Sequence, residues 1–171
     1  ARMFSGNADL YPAAQKDLED ALKMATNKPE AGFQAAKTLY NYLISMEADK
    51  EPYAEWSYDK ALQILQESIA ADAQPVYLQL EGDILFAQRK YAEAFVSYEK
   101  VNQSPIADAA TFYSAAKTKQ LMEGSDINEV IALMDSAVVK LRKPYFAEAA
   151  PYFYERANAL TQAGKFREAV K

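Results

Sequence analysis

The chain has 171 residues, half of them hydrophobic, with five glycines, seven prolines, no cysteine and no histidine. The missing residue types exclude a disulfide framework and a thiol nucleophile, and remove the commonest general base and the usual nitrogen ligand for metals. A net charge of -5 and a pI near 4.9 argue against nucleic-acid phosphates or an anionic membrane surface as the principal partner.

Long stretches rich in Ala, Leu, Glu, Gln and Lys, with few Val or Ile runs, predict helix nearly everywhere and no sheet. The opening ARMFSGNADL has neither an initiator methionine nor an apolar signal core, and no stretch is long and apolar enough to span a bilayer. A soluble protein is expected, with both periplasm and cytoplasm open. The proline-punctuated composition is in keeping with a bacterial helical array.

Asp9 is an N-cap candidate for a helix reaching about Thr26, with Pro12 in its first turn and a stripe of Tyr11, Ala14, Leu18 and Ala21. Asn27-Lys28-Pro29 breaks the chain. Pro29 then opens a helix to about Ala48 with Phe33, Ala36, Leu39, Tyr40, Leu43 and Met46 toward the core. Pro52 is expected to open the next, with Ala54, Tyr58, Ala61 and Leu65 on one stripe.

Pro75 to Pro105 reads as two helices joined by a tight turn. Leu78, Gly82 and Leu85 share a face of the first; Tyr91, Ala94, Tyr98 and Val101 share a face of the second. Small Gly82 and Ala94 would let the two backbones cross closely. Ser104-Pro105 with Asp108 predicts a helix start, running to about Met122. After Glu123-Gly124-Ser125, Asp126 and Glu129 predict a capping box for a helix with Ile127, Val130, Met134 and Ala137 inward. A helix from about Phe146 to Ala163, kinked at Pro151, would bury Phe153, Ala157 and Leu160, and GKFREAVK would begin one more, too short to hold by itself.

Ala14, Ala54, Ala94, Val130 and Ala169 occupy equivalent places, giving a period of about 36 to 40 residues, which signals a solenoid. LQLEGDILFAQRKYAEAFVSYEKV and YERANALTQAGKFREA carry the pattern best: a small residue in the first helix, then aromatic, alanine and aromatic along the second. In this the chain resembles the tetratricopeptide repeat (TPR) family. The resemblance implies an all-α fold, a right-handed superhelical array of antiparallel helix pairs. It divides residues 1–171 into one TPR-like domain cut from a longer chain: a lone second helix at 8–26, a degenerate repeat at 29–71, the best repeat at 74–104, another at 105–142 and a truncated one at 144–171. Arg89 stands where the family commonly has a turn glycine, and Glu81 where a large apolar residue is usual.

The acids Glu19-Asp20, and Glu47 with Asp49 and Glu51, read as solvated helix surface, since adjacent helical residues point in different directions. No glycine-rich loop cradles a phosphate. No catalytic residue, metal ligand or cofactor is therefore expected. Resemblance to tetratricopeptide proteins implies that the first-helix face opposite the crossing lines a concave groove for a protein or peptide. On that face lie Gln79, Asp83 and Phe86; Tyr113, Lys117 and Gln120; and Tyr154, Asn158 and Thr161. Phe86, Tyr113 and Tyr154 would bury partner side chains while Gln79, Lys117 and Asn158 fix orientation. The lysine and asparagine one turn apart that clamp acidic chaperone tails are missing. The leading expectation is a non-catalytic protein-binding scaffold without nucleic-acid partners or membrane insertion; the alternative is a homo-oligomer stacking through terminal helices, and a carboxylate enzyme ranks far behind.

Overall fold

The computed structural model describes residues 13, 16, 17, 19–21, 23, 28–45, 56–142 and 147–170, and the chain divides into two compact units, Ala1–Gln88 and Arg89–Lys171. All regular structure among the described residues is helical, with no strand.

The first unit holds α1 (Pro29–Ser45), α2 (Tyr58–Ala71) and α3 (Pro75–Ala87), with α1 against α2 and α2 against α3. α1 buries Phe33, Ala36 and Leu39 as its periodicity predicts, and also Gly32, Ala35 and Tyr42, because its apolar stripe is wide. Tyr40 and Leu43 are only half-buried. Met46 and the continuation to Ala48 lie outside the described residues, as do Tyr11, Ala14 and Leu18; residues 19–21 are helical.

Pro52 and Ala54 lie outside the described residues, and the helix that carries Tyr58, Ala61 and Leu65 is described from Tyr58. Ser57 is extended (φ -142°, ψ 163°) and its hydroxyl accepts from the Lys60 amide at 3.1 Å, so α2 begins at Tyr58. Serine at an N-cap satisfies an amide that has no partner inside the helix. Trp56, just before the cap, is buried edge-on against Tyr42 with ring centroids 4.9 Å apart. Pro75 opens α3 as expected; Gly82 and Leu85 are buried, but Tyr77, Leu80 and Ile84 form a second buried stripe that the pattern did not single out.

The second unit runs α4 (Tyr91–Asn102), α5 (Ala109–Leu121), α6 (Ile127–Val139), a 3-10 turn (Ala147–Ala149), α7 (Ala150–Gln162) and the single turn α8 (Phe166–Ala169), with α5 packing on α4, α6 on α5, α7 on α6 and α8 on α7. Ala94, Tyr98 and Val101 are buried as predicted. Ala116, Val130, Ile131, Met134, Ala159 and Leu160 form a core, with Tyr113, Ile127 and Ala163 against it.

Two helix starts and one cap differ from expectation. Ser104-Pro105 belongs to a turn; α5 opens at Ala109 because Asp108 accepts from the Thr111 amide at 3.0 Å while the Thr111 hydroxyl takes the Asp108 amide at 3.2 Å. At α6, Asp126 caps by accepting from the Asn128 amide at 2.9 Å, but Glu129 pairs with Lys119 at 2.6 Å instead of closing a capping box. Pro151 lies in the first turn of α7 and starts it rather than kinking it. Phe153 is 41% exposed, so the burial expected of it fails, and Phe166 is 65% exposed; α8 is too short to cover either ring.

Candidate functional site

The predicted face residues fall into two sets. In the first unit, α3 carries Gln79, Asp83 and Phe86, all half-buried. Asp83 is close enough to Tyr40 of α1 that its charge acts on the phenol: burial first, then the Asp83 charge and Tyr58, push the Tyr40 hydroxyl up to about 12. Tyr40 and Tyr58 meet with ring centroids 6.3 Å apart and planes tilted by 56°. These two rings and the carboxylate thus gather residues from all three helices. About two turns back along α1, Phe33 stacks on Tyr77 at 4.7 Å, and the Lys37 ammonium lies 5.7 Å over the Phe33 ring. The Tyr77 hydroxyl donates to Glu30 at 3.0 Å, and Gln34 donates to the same carboxylate at 2.7 Å. Those bonds hold the Glu30 carboxyl below its usual range, while burial and the acceptor raise the Tyr77 phenol.

In the second unit, α5 supplies Tyr113, Lys117 and Gln120, again half-buried, and α7 supplies Tyr154 and Asn158. α5 and α7 touch through other residues. The Lys117 ammonium donates to Glu155 at 2.9 Å, and the Tyr113 ring meets Tyr152 at 5.0 Å. Burial, then the Glu155 charge, raise the Tyr113 phenol, with Lys117 opposing. Tyr154, 67% exposed, and half-buried Asn158 sit farther round α7 and are not brought against Tyr113 or Lys117 by any of these contacts. Arg156 reaches the other way, to Asp135 of α6 at 2.5 Å.

These contacts between alternate helices, each about one repeat apart in the chain, are the geometry of stacked helical hairpins. The fold is similar to that of MamA. A MamA structure spanning residue 41 to the end, from Desulfovibrio magneticus RS-1, matches at TM-score 0.69 and 18% identity, covering 91% of this chain and 79% of that one. The MamA RS-1 ArsTM double mutant matches at 0.72 and 18%, with 93% and 79% covered. A further MamA crystal structure matches at 0.70 and 13%, with 96% and 89% covered. MamA is a TPR-like helical protein, and at these identities the likeness shows the all-α repeat fold. No protein-family model and no curated protein matches the chain.

Sequence reasoning missed Glu155 and Tyr152. Both lie one period beyond their partners, at 38 and 39 residues, so an opposite charge or a second ring at the repeat spacing was the available signal. It also assigned Tyr58 wholly to the core, whereas the ring is half-buried. A cleft of about 570 Å³ lies between the start of α4 and the end of α5, lined by Arg89, Tyr91, Glu93, Leu121 and Glu123 among others. Among the described residues no cluster of three or more acids could hold a metal ion, and no helix is long and apolar enough to cross a membrane.

Proposed function

We propose that the protein is a non-catalytic scaffold of tetratricopeptide type whose first-helix faces receive a protein or peptide partner. The observation that carries this reading is the composition of those faces. Half-buried rings sit beside charged groups: Tyr40 within reach of the Asp83 charge in one unit, Tyr113 with the Lys117–Glu155 pair in the other. Rings there offer apolar contact at little rotamer cost, and the polar groups are already oriented for a partner's backbone. The resemblance to MamA, a TPR-like protein, supports a fold built for such faces.

Immobilised protein and its Tyr154→Ala/Gln79→Ala variant, exposed to a soluble extract of the source cells, test the reading. Capture of a discrete set of proteins by the parent and its loss in a variant of unchanged melting temperature support it. Equal capture by both would sink the assignment of these faces.

A second reading is self-association, favoured by the exposure of Phe153, Phe166 and Val170 on and around α7 and α8. Light scattering over a range of concentrations tests it, and a monomer throughout rejects it.

A further inference from the structure

The charge of the chain is unevenly divided. Residues 1–88 hold 7 Lys and Arg against 14 Asp and Glu, while residues 89–171 hold 12 against 10, so the acidity of the protein resides in the first unit. On that unit Tyr40 and Tyr58 form an angled aromatic wall from α1 and α2, and Asp83 of α3 lies beside it. A ring face attracts a cation through its quadrupole, and a carboxylate next to the ring adds a direct charge-assisted bond. The one cation on α1, Lys37, already rests over Phe33, an intramolecular instance of the same chemistry about two turns away.

We infer that the Tyr40–Tyr58–Asp83 surface of the first unit docks a lysine- or arginine-bearing segment of a protein partner. The inference rests on the scaffold reading and names the chemistry of its ligand. Asp83 already interacts within the protein; a carboxylate offers about four acceptor positions, so a partner's ammonium or guanidinium shares it without displacing that interaction. The excess negative charge of the first unit favours the approach of such a segment and makes its capture sensitive to salt. An acidic segment would meet Asp83 and the surrounding charge and be rejected.

Panning a random-peptide display library on the whole protein, at low salt and again at high salt, tests this. Selected peptides are expected to be enriched in Lys and Arg several-fold over the input, less so at high salt. By fluorescence anisotropy, affinity for a selected peptide should fall about tenfold with Asp83→Asn, the worth of one bond to a charged group. It should fall several-fold with Tyr40→Leu and hold with Tyr40→Phe, which keeps the ring. Circular dichroism melts show that the variants fold. Selected peptides without a cationic excess, or affinity indifferent to Asp83→Asn, overturn the inference while leaving the scaffold reading intact. Enrichment of no peptide at all overturns both. Salt-sensitive self-association with no peptide selected assigns the face to a second copy and likewise overturns it.

Discussion

Gly32 of α1 and Ser68 of α2 lie so close that a methyl group added at Gly32 would sit 2.2 Å from the Ser68 hydroxyl. Both are buried, and the hydroxyl turns back to the Ile64 carbonyl at 3.4 Å. This is a small-on-small helix crossing, the device that the sequence pattern led one to expect at Gly82 and Ala94. It went unnoticed in the first unit because a glycine near a helix start reads as punctuation, and because its partner is 36 residues away.

The crossing predicts a strongly non-additive pair. Gly32→Ala gains about 1 kcal/mol of helix propensity but overpacks at a cost of about 1–3 kcal/mol, so the single variant should be no more stable than the parent. Ser68→Ala removes the obstructing oxygen and, with a long hydrogen bond to lose, should change stability by less than about 1 kcal/mol. The double variant should exceed the parent by about 1 kcal/mol. Denaturant melts of the four proteins give the coupling directly; additive singles would show that the helices are not this close.

Arg89 occupies the left-handed region at φ 61°, matching Gly164 at φ 73° in the turn before α8. A non-glycine residue there carries about 1 kcal/mol of strain or more, partly offset by glycine's greater entropy when unfolded. Arg89→Gly should therefore stabilise by up to about 1 kcal/mol, whereas Gly164→Ala, into open space but at the same backbone angle, should destabilise by about 1 kcal/mol. A thermal melt of each variant decides, and opposite signs are the required result.

The Tyr40 phenol is pushed up to about 12 by burial and by the Asp83 charge. Its folded value lies above the unfolded value near 10, so the folded state holds a proton that the unfolded state has lost. Stability should accordingly fall between about pH 10 and pH 12. Tyr40→Phe should flatten that decline, and ultraviolet titration of the parent should show a late-ionising tyrosine that the variant lacks. Tyr58, raised by burial alone, should also ionise late.

At the acid end, hydrogen bonds from the Asn128 amide and side chain hold the Asp126 carboxyl below its usual range. The sign is the reverse of the tyrosine case: the stabilisation is present above the unfolded value and is lost as pH falls through the lower, folded one. Asp126→Asn keeps an N-cap acceptor but cannot titrate. It should leave the neutral-pH melting temperature close to that of the parent and reduce the loss on acidification. An unchanged acid limb would mean that the cap bonds do not favour the ionised form.

Periodicity made the repeat legible because burial in stacked helices follows one face, and Ala94, Tyr98, Val101, Met134 and Ala137 all lie where spacing put them. Boundaries were less legible because capping is a contest between neighbours. Asp108 won over Ser104 by supplying a side-chain acceptor to an otherwise unpaired amide, as Ser57 does at the start of α2. Spacing placed the residues of the α5 and α7 faces on their helices but could not pair them. Which residue of α7 meets Lys117 depends on helix rotation, and a turn of about 60–100° separates Glu155 from Tyr154 and Asn158 on an ideal helix.

That rotation sets the final prediction. Tyr154 is 67% exposed, whereas Leu160, on the same helix, is buried against Ala116 and Met134. Tyr154→Ala should change stability by no more than about 0.5 kcal/mol, as surface substitutions do. Leu160→Ala should cost about 2–5 kcal/mol through lost burial and the cavity left behind. If Tyr154 serves partner capture, the first variant loses binding while keeping its melting temperature, and the second loses both together. A Tyr154→Ala protein that melts like the Leu160 variant would place that ring in the core and remove α7 from the binding face.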